Sequence, residues 1–244
     1  IINSTLFFIS ERIGVNLARK SGDVLLPVST STLKQLQDVF GENPKFQPVD
    51  CGVDLKQIDG IVQKVTTKQY DAVFMKRLQA VKGIFDLIKI WEKVVAHKPD
   101  AKLAIIGSGI DGEKARQIVK EMGLDKNIEF KGVIYDMKEK FSIIAQSKLF
   151  VLPTYEENWA IVIGEAMAAG VPVISYGLAE LVEVWKTHFV PIPVGDIDAF
   201  AQAIIDHLDN PEKCHTLSKS ALAFMERYDW SRIASSELEI IKKS

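Results

Sequence analysis

The sequence has few of the residues that bind structural metals or form disulfide bonds. It contains two cysteines, Cys51 and Cys214, and four histidines among 244 residues. The cysteines are far apart, and no two histidines have His-x3-His spacing, which argues against a zinc site. These observations predict a reduced intracellular protein, located in the cytoplasm.

The sequence also lacks a long apolar run and an excess of charge of either sign. Its apolar opening, residues 1–9, is interrupted by Glu11 and Arg12 too early to cross a bilayer, and it has no basic leader or cleavage site. A formal net charge of −2 argues against a nucleic-acid partner. Because the sequence does not begin with Met, we expect it to be a piece of a longer protein.

From Tyr70 onward, apolar strands alternate with amphipathic helices. The predicted strands are nearly continuous in apolar residues and lie at 73–75, 103–106, 128–130, 149–152, 171–174 and 189–192. Predicted helices follow them at 83–97, 112–122, 136–146, 160–169, 178–186, 196–208, 211–226 and 230–243. This alternation predicts an α/β fold: a doubly wound, Rossmann-like parallel sheet with helices on both faces and helices at the C-terminal end. Ligands of such sheets bind at the carboxyl ends of the strands.

Residues 1–54 contain too few elements to close a sheet of their own. They predict a helix over 1–20, a strand at 23–28 and a helix through Phe40 for which residues 29–32, Ser-Thr-Ser-Thr, offer N-caps. We interpret 1–54 as the remnant of a preceding domain and its hinge. The polar segment 55–69 is predicted to be a linker, and 70–244 the ligand-binding domain.

Two glutamates frame a strongly apolar segment after the fourth predicted strand. Glu157 precedes the helix predicted over 160–169, and Glu165 lies inside it among apolar or small residues. The charge of Glu165, inside the helix, needs a partner. The free N–H groups at the start of the helix, near Glu157, favour an anion. The two carboxylates and the backbone donors between them can together hold a ligand that carries hydroxyl and phosphate groups. Alternatively, Glu157 is an ordinary first-turn carboxylate and Glu165 pairs with a structural lysine.

Arg77 and Lys82 flank the loop after the first strand of the repeat. Two cations at the end of a strand can neutralise a diphosphate without a metal. Taken alone, this pair favours an ordinary solvated loop.

Gly107–Gly112 matches Gly-x-Gly-x-x-Gly after the second strand, and Glu129 lies at the distance of a ribose-binding acid. This combination is typical of a dinucleotide site, and an NAD-dependent oxidoreductase is a minority alternative. However, Glu129 falls inside its strand, the motif follows the second strand, and Asp111 would place negative charge near a pyrophosphate. We interpret the glycines as a tight turn near the ligand.

Asp136 follows the third strand and can accept hydrogen bonds from a base, with N1 and N2 of guanine as suitable donors. Asp136 also begins a capping box with Glu139, which is the stronger interpretation, and both roles can coexist.

Together these motifs resemble the C-terminal domain of retaining glycosyltransferase family 4, in the GT-B superfamily. The resemblance rests on Arg77-x4-Lys82-Gly83, on residues 103–109, on Glu129-Phe130-x-Gly132 and, most specifically, on the block from Pro153 through Glu157-x7-Glu165 to Val173. It covers roughly residues 22–243. It implies a donor-binding domain over 70–244, preceded by the end of an acceptor domain.

The resemblance implies transfer of a hexose, for example mannose, from a GDP- or UDP-linked donor. The acceptor would be a glycan or a lipid-linked molecule, bound with the help of the missing N-terminal domain. Association with the cytoplasmic face of a membrane is an open alternative. No metal or other cofactor is implied. Arg77 and Lys82 would grip the diphosphate near Gly109, while Ile134 and Asp136 would meet the base.

The Glu-x7-Glu block is implied to hold the sugar end of the donor. Glu157, with the backbone at Trp159, Ala160 and Ile161, would hold the sugar and the β-phosphate, and Glu165 would bind the ribose hydroxyls. The side chain of Trp159 is expected to lie partly in the core and partly in the pocket wall.

Three positions depart from the usual pattern of the family. Lys76 and Ala160 stand where glycine is usual, and Tyr176 replaces the first residue of a Gly-Gly pair. Ala160, together with the expected truncation of the chain, motivates a second hypothesis, a non-catalytic nucleotide-binding or structural module. A GT-B epimerase or phosphorylase fits the flanks of the Glu-x7-Glu block less well.

Overall fold

The computed structural model describes residues 12–18 and 20–243. These residues divide into two compact units. One unit is Val53–Asp229, and the other combines the described residues up to Gly52 with those from Trp230 onward. Of the helix predicted over 1–20, residues 12–18 are helical, whereas residues 1–11 and 19 lie outside the described part of the chain.

Within the described residues, six strands of the larger unit form one sheet in which every pairing is parallel. In chain order the strands are β1 Tyr70–Met75, β2 Leu103–Ile106, β3 Ile128–Gly132, β4 Ser147–Leu152, β5 Val173–Tyr176 and β6 Val190–Ile192. Their spatial order is β3-β2-β1-β4-β5-β6. This order confirms the predicted doubly wound fold. It reverses between β1 and β4, where such sheets have a ligand-binding crevice.

Helices cover both faces of the sheet. Besides the helical residues 12–18, the α-helices are, in chain order, α1 Thr30–Phe40, α2 Leu55–Val62, α3 Ile84–His97, α4 Gly112–Glu121, α5 Met137–Ala145, α6 Ile161–Ala168, α7 Ala179–Trp185, α8 Ile197–Asp209, α9 Pro211–Met225 and α10 Trp230–Lys243. Helix α3 contacts α4 and α8, whereas α2 contacts α5 and α6, and α6 contacts α9. Helix α9 also contacts α8, so it joins the two groups of helices.

The central strands are buried on both faces, which explains their continuous apolar runs. Phe74 of β1, Ile105 of β2 and Phe150 of β4 are all 0% exposed. A strand covered by helices on both sides has no polar face. Strand β5 begins at Val173, two residues later than predicted. Pro172 precedes it, and a proline has no N–H to donate to a central ladder.

The segment 55–69, predicted to be a linker, begins with helix α2. Asp54 caps this helix, because its side chain accepts a hydrogen bond from the Gln57 N–H at 2.9 Å. Ile58 is buried, which ties α2 to the larger unit. The helix is only eight residues long, so its apolar positions repeat too few times for the period to be recognised in the sequence.

The smaller unit contains α1 and α10. Of the four candidate caps at residues 29–32, Ser29 caps α1, with its Oγ accepting a hydrogen bond from the Thr32 N–H at 3.0 Å. The strand predicted at 23–28 is reduced to a single bridge between Leu25 and Phe46. Helix α10 belongs to this unit by its contacts, although the sequence placed residues 230–243 with the larger domain.

Candidate functional site

The loops after β1 and β4 lie directly against each other at the crevice. A Cβ atom on Gly83, where φ is 80°, would lie 1.7 Å from the Pro153 carbonyl oxygen. The Tyr155 N–H donates to the Val81 carbonyl at 3.0 Å. Because the two backbones touch, only glycine fits at position 83. This contact holds the side chains of the two loops together.

The Glu157 carboxylate lies between two lysines in this crevice. Lys76 Nζ is 2.8 Å from Oε1 and 2.9 Å from Oε2, and Lys82 Nζ is 3.3 Å from Oε1. Lys82 also donates to the Glu156 carbonyl, and Thr154 Oγ1 lies 3.3 Å from Oε1. The side chains of Lys82 and Glu157 are 9% and 7% exposed. Pairing offsets the cost of removing both charges from water.

Arg77 lies on the same loop but is exposed. Within the described residues its side chain forms no ion pair or hydrogen bond. Together with Lys76, Lys82 and Glu157 it gives the crevice three cations and one carboxylate, a formal surplus of two positive charges. Such a surplus favours a ligand with several negative charges.

Glu165 has the partner that its position requires. Lys140 of α5 places Nζ 2.8 Å from Glu165 Oε1, and the two side chains are 14% and 15% exposed. The alternative of a pairing lysine is therefore what the structure shows. Among the described residues, no group donates a hydrogen bond to Glu165 Oε2. That oxygen can still accept from a ligand.

The side chain of Trp159 lies in the core, and the prediction that it forms part of the pocket wall is wrong. It is 2% exposed, and its ring packs edge-on against Trp185 and Tyr228, with centroids 4.5 Å and 5.3 Å away. Burial of a large aromatic surface against other rings stabilises the core more than a half-exposed position would.

Helix α6 begins beside the crevice without a side-chain cap. Ala160 precedes it in the left-handed conformation, with φ 56° and ψ 68°, and Ile161 at its first position is 46% exposed. The first-turn N–H groups of a helix carry partial positive charge and bind anions.

The Gly-x-Gly-x-x-Gly motif packs against the loop after β1. A Cβ atom on Gly107 would lie 2.0 Å from the Lys76 carbonyl oxygen, and one on Gly109 would lie 2.3 Å from that of Leu78. Asp111 Oδ2 accepts a hydrogen bond from the Ala80 N–H at 2.7 Å. These contacts account for the glycines by loop packing and agree with the interpretation of a tight turn.

Glu129, the acid of the dinucleotide alternative, has partners of its own. It pairs with Ala104 inside the sheet, accepts from Tyr70 Oη at 2.8 Å and lies 2.6 Å from Lys131 Nζ. The hydrogen bond from Lys131 lowers the pKa of Glu129 below its usual range. The structure therefore ties this carboxylate to its neighbours on β1 and β3.

Asp136 and Ile134 follow β3, farther along the same edge of the sheet. Asp136 caps α5, with Oδ1 accepting from the Glu139 N–H at 2.7 Å, which confirms the capping interpretation. Asp136 is exposed and Ile134 is partly exposed.

Sequence reasoning missed a polar cluster behind the crevice. The hydroxyl groups of Tyr155 and Tyr176 both donate to Asp86 Oδ2, the latter at 2.7 Å. Burial and the Asp86 charge raise the pKa of Tyr176, and the hydrogen bond to Asp86 raises the pKa of Tyr155. Both tyrosines thus remain neutral donors and fasten the loop that carries Glu157. No local motif joins residues that are 69 and 90 positions apart.

The fold and the crevice define a Rossmann-like domain with a cationic strand edge. The sequence profile of the family Glycosyl transferases group 1 matches residues 58–223, more than half of the chain. The chain belongs to this family.

Curated relatives are also glycosyltransferases. The GDP-mannose-dependent monoacylated alpha-(1-6)-phosphatidylinositol monomannoside mannosyltransferase of Corynebacterium glutamicum is 29% identical over 86% of this chain and 58% of its own length. The phosphatidyl-myo-inositol mannosyltransferase of Mycobacterium tuberculosis is 30% identical over 82% and 53%. The chain thus spans little more than half the length of these relatives.

Solved structures show the same fold. HepE of Anabaena, in complex with UDP and glucose, superposes with a TM-score of 0.81 at 20% identity, covering 96% of this chain and 66% of that one. S. aureus TarM, in complex with UDP and other ligands, superposes with a TM-score of 0.75 at 18% identity, and the match covers 89% of this chain and 43% of TarM. No described helix is both long and apolar enough for a membrane span.

Proposed function

We propose that this chain is the donor-binding part of a retaining glycosyltransferase that needs no bound metal. It transfers a hexose from a nucleoside diphosphate sugar to a glycan or lipid-linked acceptor. The observation that supports this proposal best is the crevice between β1 and β4. There, two cations of one loop meet a buried carboxylate of the next, with Lys82 Nζ 3.3 Å from Glu157 Oε1.

Arg77 and Lys82 neutralise the donor diphosphate and stabilise the negative charge that develops on the departing nucleotide. This is electrostatic catalysis by groups that are already in place before the reaction. Glu157 orients the sugar and is not a covalent nucleophile, because its oxygens are engaged by Lys76 and Lys82. The first-turn N–H groups of α6, after Ala160, face the phosphate next to the sugar.

The nucleoside lies along the edge from β4 towards β3. Glu165 Oε2 accepts hydrogen bonds from the ribose hydroxyls, while Lys140 holds Oε1. The base extends past Gly109 to Ile134 and Asp136, at the end of β3.

We take GDP-mannose as the first donor to test and a UDP-linked hexose as the second. The mannosyltransferase of Corynebacterium glutamicum is named for GDP-mannose, and HepE was solved with UDP and glucose. We assign the acceptor site to the part of the relatives that this chain does not cover. The proposal includes a cytoplasmic location, at the membrane surface when the acceptor is lipid-linked.

Calorimetry with GDP and UDP tests the phosphate clamp. We expect the chain to bind at least one of them, and Arg77→Ala/Lys82→Ala to bind it at least about 100-fold more weakly, because each of the two lost charge-assisted contacts costs about 1.5–3 kcal/mol. Lys219→Ala, which removes an exposed lysine of α9, is the matched control and should bind as the parent chain does. Equal affinity in the double variant would contradict the clamp.

A further inference from the structure

The proposed function assigns Lys76 no contact with the donor, yet Lys76 contacts Glu157 more closely than Lys82 does. Its Nζ reaches both carboxylate oxygens, at 2.8 Å and 2.9 Å. The side chain of Lys76 is 18% exposed, so its ammonium group lies inside the crevice. Its position follows β1 directly, at the point where the order of the strands reverses.

The carboxylate is nearly saturated by its protein partners. Oε1 of Glu157 is approached by Lys76, Lys82 and Thr154, and Oε2 by Lys76. A carboxylate offers about four acceptor positions. Glu157 therefore fixes the places of two ammonium groups, in addition to any contact with a sugar.

The two lysines have spare capacity for an anion. Lys76 and Lys82 share Oε1 at 2.8 Å and 3.3 Å, so their Nζ atoms are no farther apart than the sum of these distances. An ammonium group has three N–H donors, so Lys76 can bind Glu157 and an anion together. One carboxylate leaves such a pair with net positive charge in a nearly buried place, and a second anion is attracted to it.

We propose that Lys76 binds the phosphate to which the donor sugar is attached, and that Glu157 positions Lys76 for this contact. The inference rests on the proposed function, because it assumes that Glu157 lies beside the sugar. We assign Lys76 to the distal phosphate because its ammonium group contacts both oxygens of Glu157. It therefore lies next to the sugar that Glu157 orients, and the distal phosphate is the one attached to that sugar. The exposed Arg77 and the buried Lys82 remain available to the rest of the diphosphate.

The test compares nucleoside diphosphates with monophosphates by calorimetry. GDP and GMP, with UDP and UMP in parallel, are titrated into the parent chain, Lys76→Met, Lys76→Arg and the control Lys219→Ala. Methionine keeps the apolar stem of lysine and removes the charge. We expect Lys76→Met to bind GDP or UDP about tenfold more weakly, whereas its affinity for GMP or UMP changes less than about twofold. Lys76→Arg should recover part of the loss.

Several outcomes would overturn the inference. Unchanged or tighter binding of the diphosphate by Lys76→Met would remove Lys76 from the site, and an equal loss for monophosphate and diphosphate would remove the distal-phosphate assignment. Thermal unfolding of each variant checks its fold. If Lys76→Met does not fold, the ratio of diphosphate to monophosphate affinity in Lys76→Gln decides instead. A parent chain that binds none of the four nucleotides would contradict the proposed function itself, which is a separate failure.

Discussion

Glu165 carries its charge in a helix whose other members are apolar or small, and Lys140 supplies the opposite charge. From the sequence, a partner for this charge could be expected but not identified, because the lysine comes from a different helix, 25 residues away. The pairing explains how the fold tolerates the charge. It leaves Oε2 open, so a structural role and a ligand-binding role are compatible.

Replacing Glu165 separates these two roles. We predict that the parent chain binds GDP about tenfold more tightly than 2′,3′-dideoxy-GDP, and that Glu165→Gln binds both equally, since charge-assisted hydrogen bonds to ribose hydroxyls are lost. The change also lowers the free energy of unfolding by about 1–3 kcal/mol, because Lys140 loses its partner. Calorimetry and urea unfolding measure the two effects.

Glu183→Gln is the matched control, because Glu183 is exposed on α7. It should leave both quantities unchanged. If Glu165→Gln still prefers GDP to the dideoxy analogue, the Glu165 carboxylate has only a structural role.

Ala160 departs from the usual family pattern, and the structure shows the backbone conformation at this position. In the sequence, Ala160 stands where glycine is usual in the family. The structure adds that the residue has a left-handed backbone, with φ 56°. This conformation costs a residue other than glycine about 1–2 kcal/mol. No pattern in the sequence reports a backbone angle at a single alanine.

At the scale of elements, the glycine-rich turn after β2 packs closely against the loop after β1. A Cβ atom on Gly109 would lie 2.3 Å from the Leu78 carbonyl oxygen. Gly60, in contrast, lies in the exposed part of α2 with nothing within 4 Å of the added atom. Replacing either glycine by alanine adds one methyl group, at a crowded position in Gly109 and at an open position in Gly60.

We therefore predict that Gly109→Ala lowers the free energy of unfolding by about 1–3 kcal/mol, since backbone atoms must move apart. Gly60→Ala should raise it by about 0.5–1 kcal/mol, because alanine is the better helix former. Urea unfolding of the two variants and the parent measures both. An unchanged stability in Gly109→Ala would contradict the close contact between the two loops.

Most elements of the larger unit could be predicted from the sequence because their signals are local. Apolar runs mark the buried strands, and the helices keep the period of one buried side, as in α3 with Leu87, Trp91 and Val94. The exceptions have particular causes. Helix α2 is short, and the start of β5 depends on Pro172.

At the scale of the whole molecule, the parallel sheet explains why distant motifs could be assigned to one edge. Each lies after a strand, and the carboxyl ends of parallel strands share one side. The side-chain pairings across that edge could not be predicted. Lys76 and Glu157 are 81 residues apart, and their meeting depends on the register of β1 with β4 and on the close contact at Gly83.

The most direct test of the crevice as the donor site is to locate bound nucleotide by NMR. Amide resonances of the ¹⁵N-labelled chain are followed as GDP or UDP is added. The account predicts that the largest shifts fall at residues 76–83, 107–109 and 157–165, with smaller ones at 134–136. Shifts confined to the opposite end of the sheet, around Lys68, Pro172 and Cys214, would contradict it.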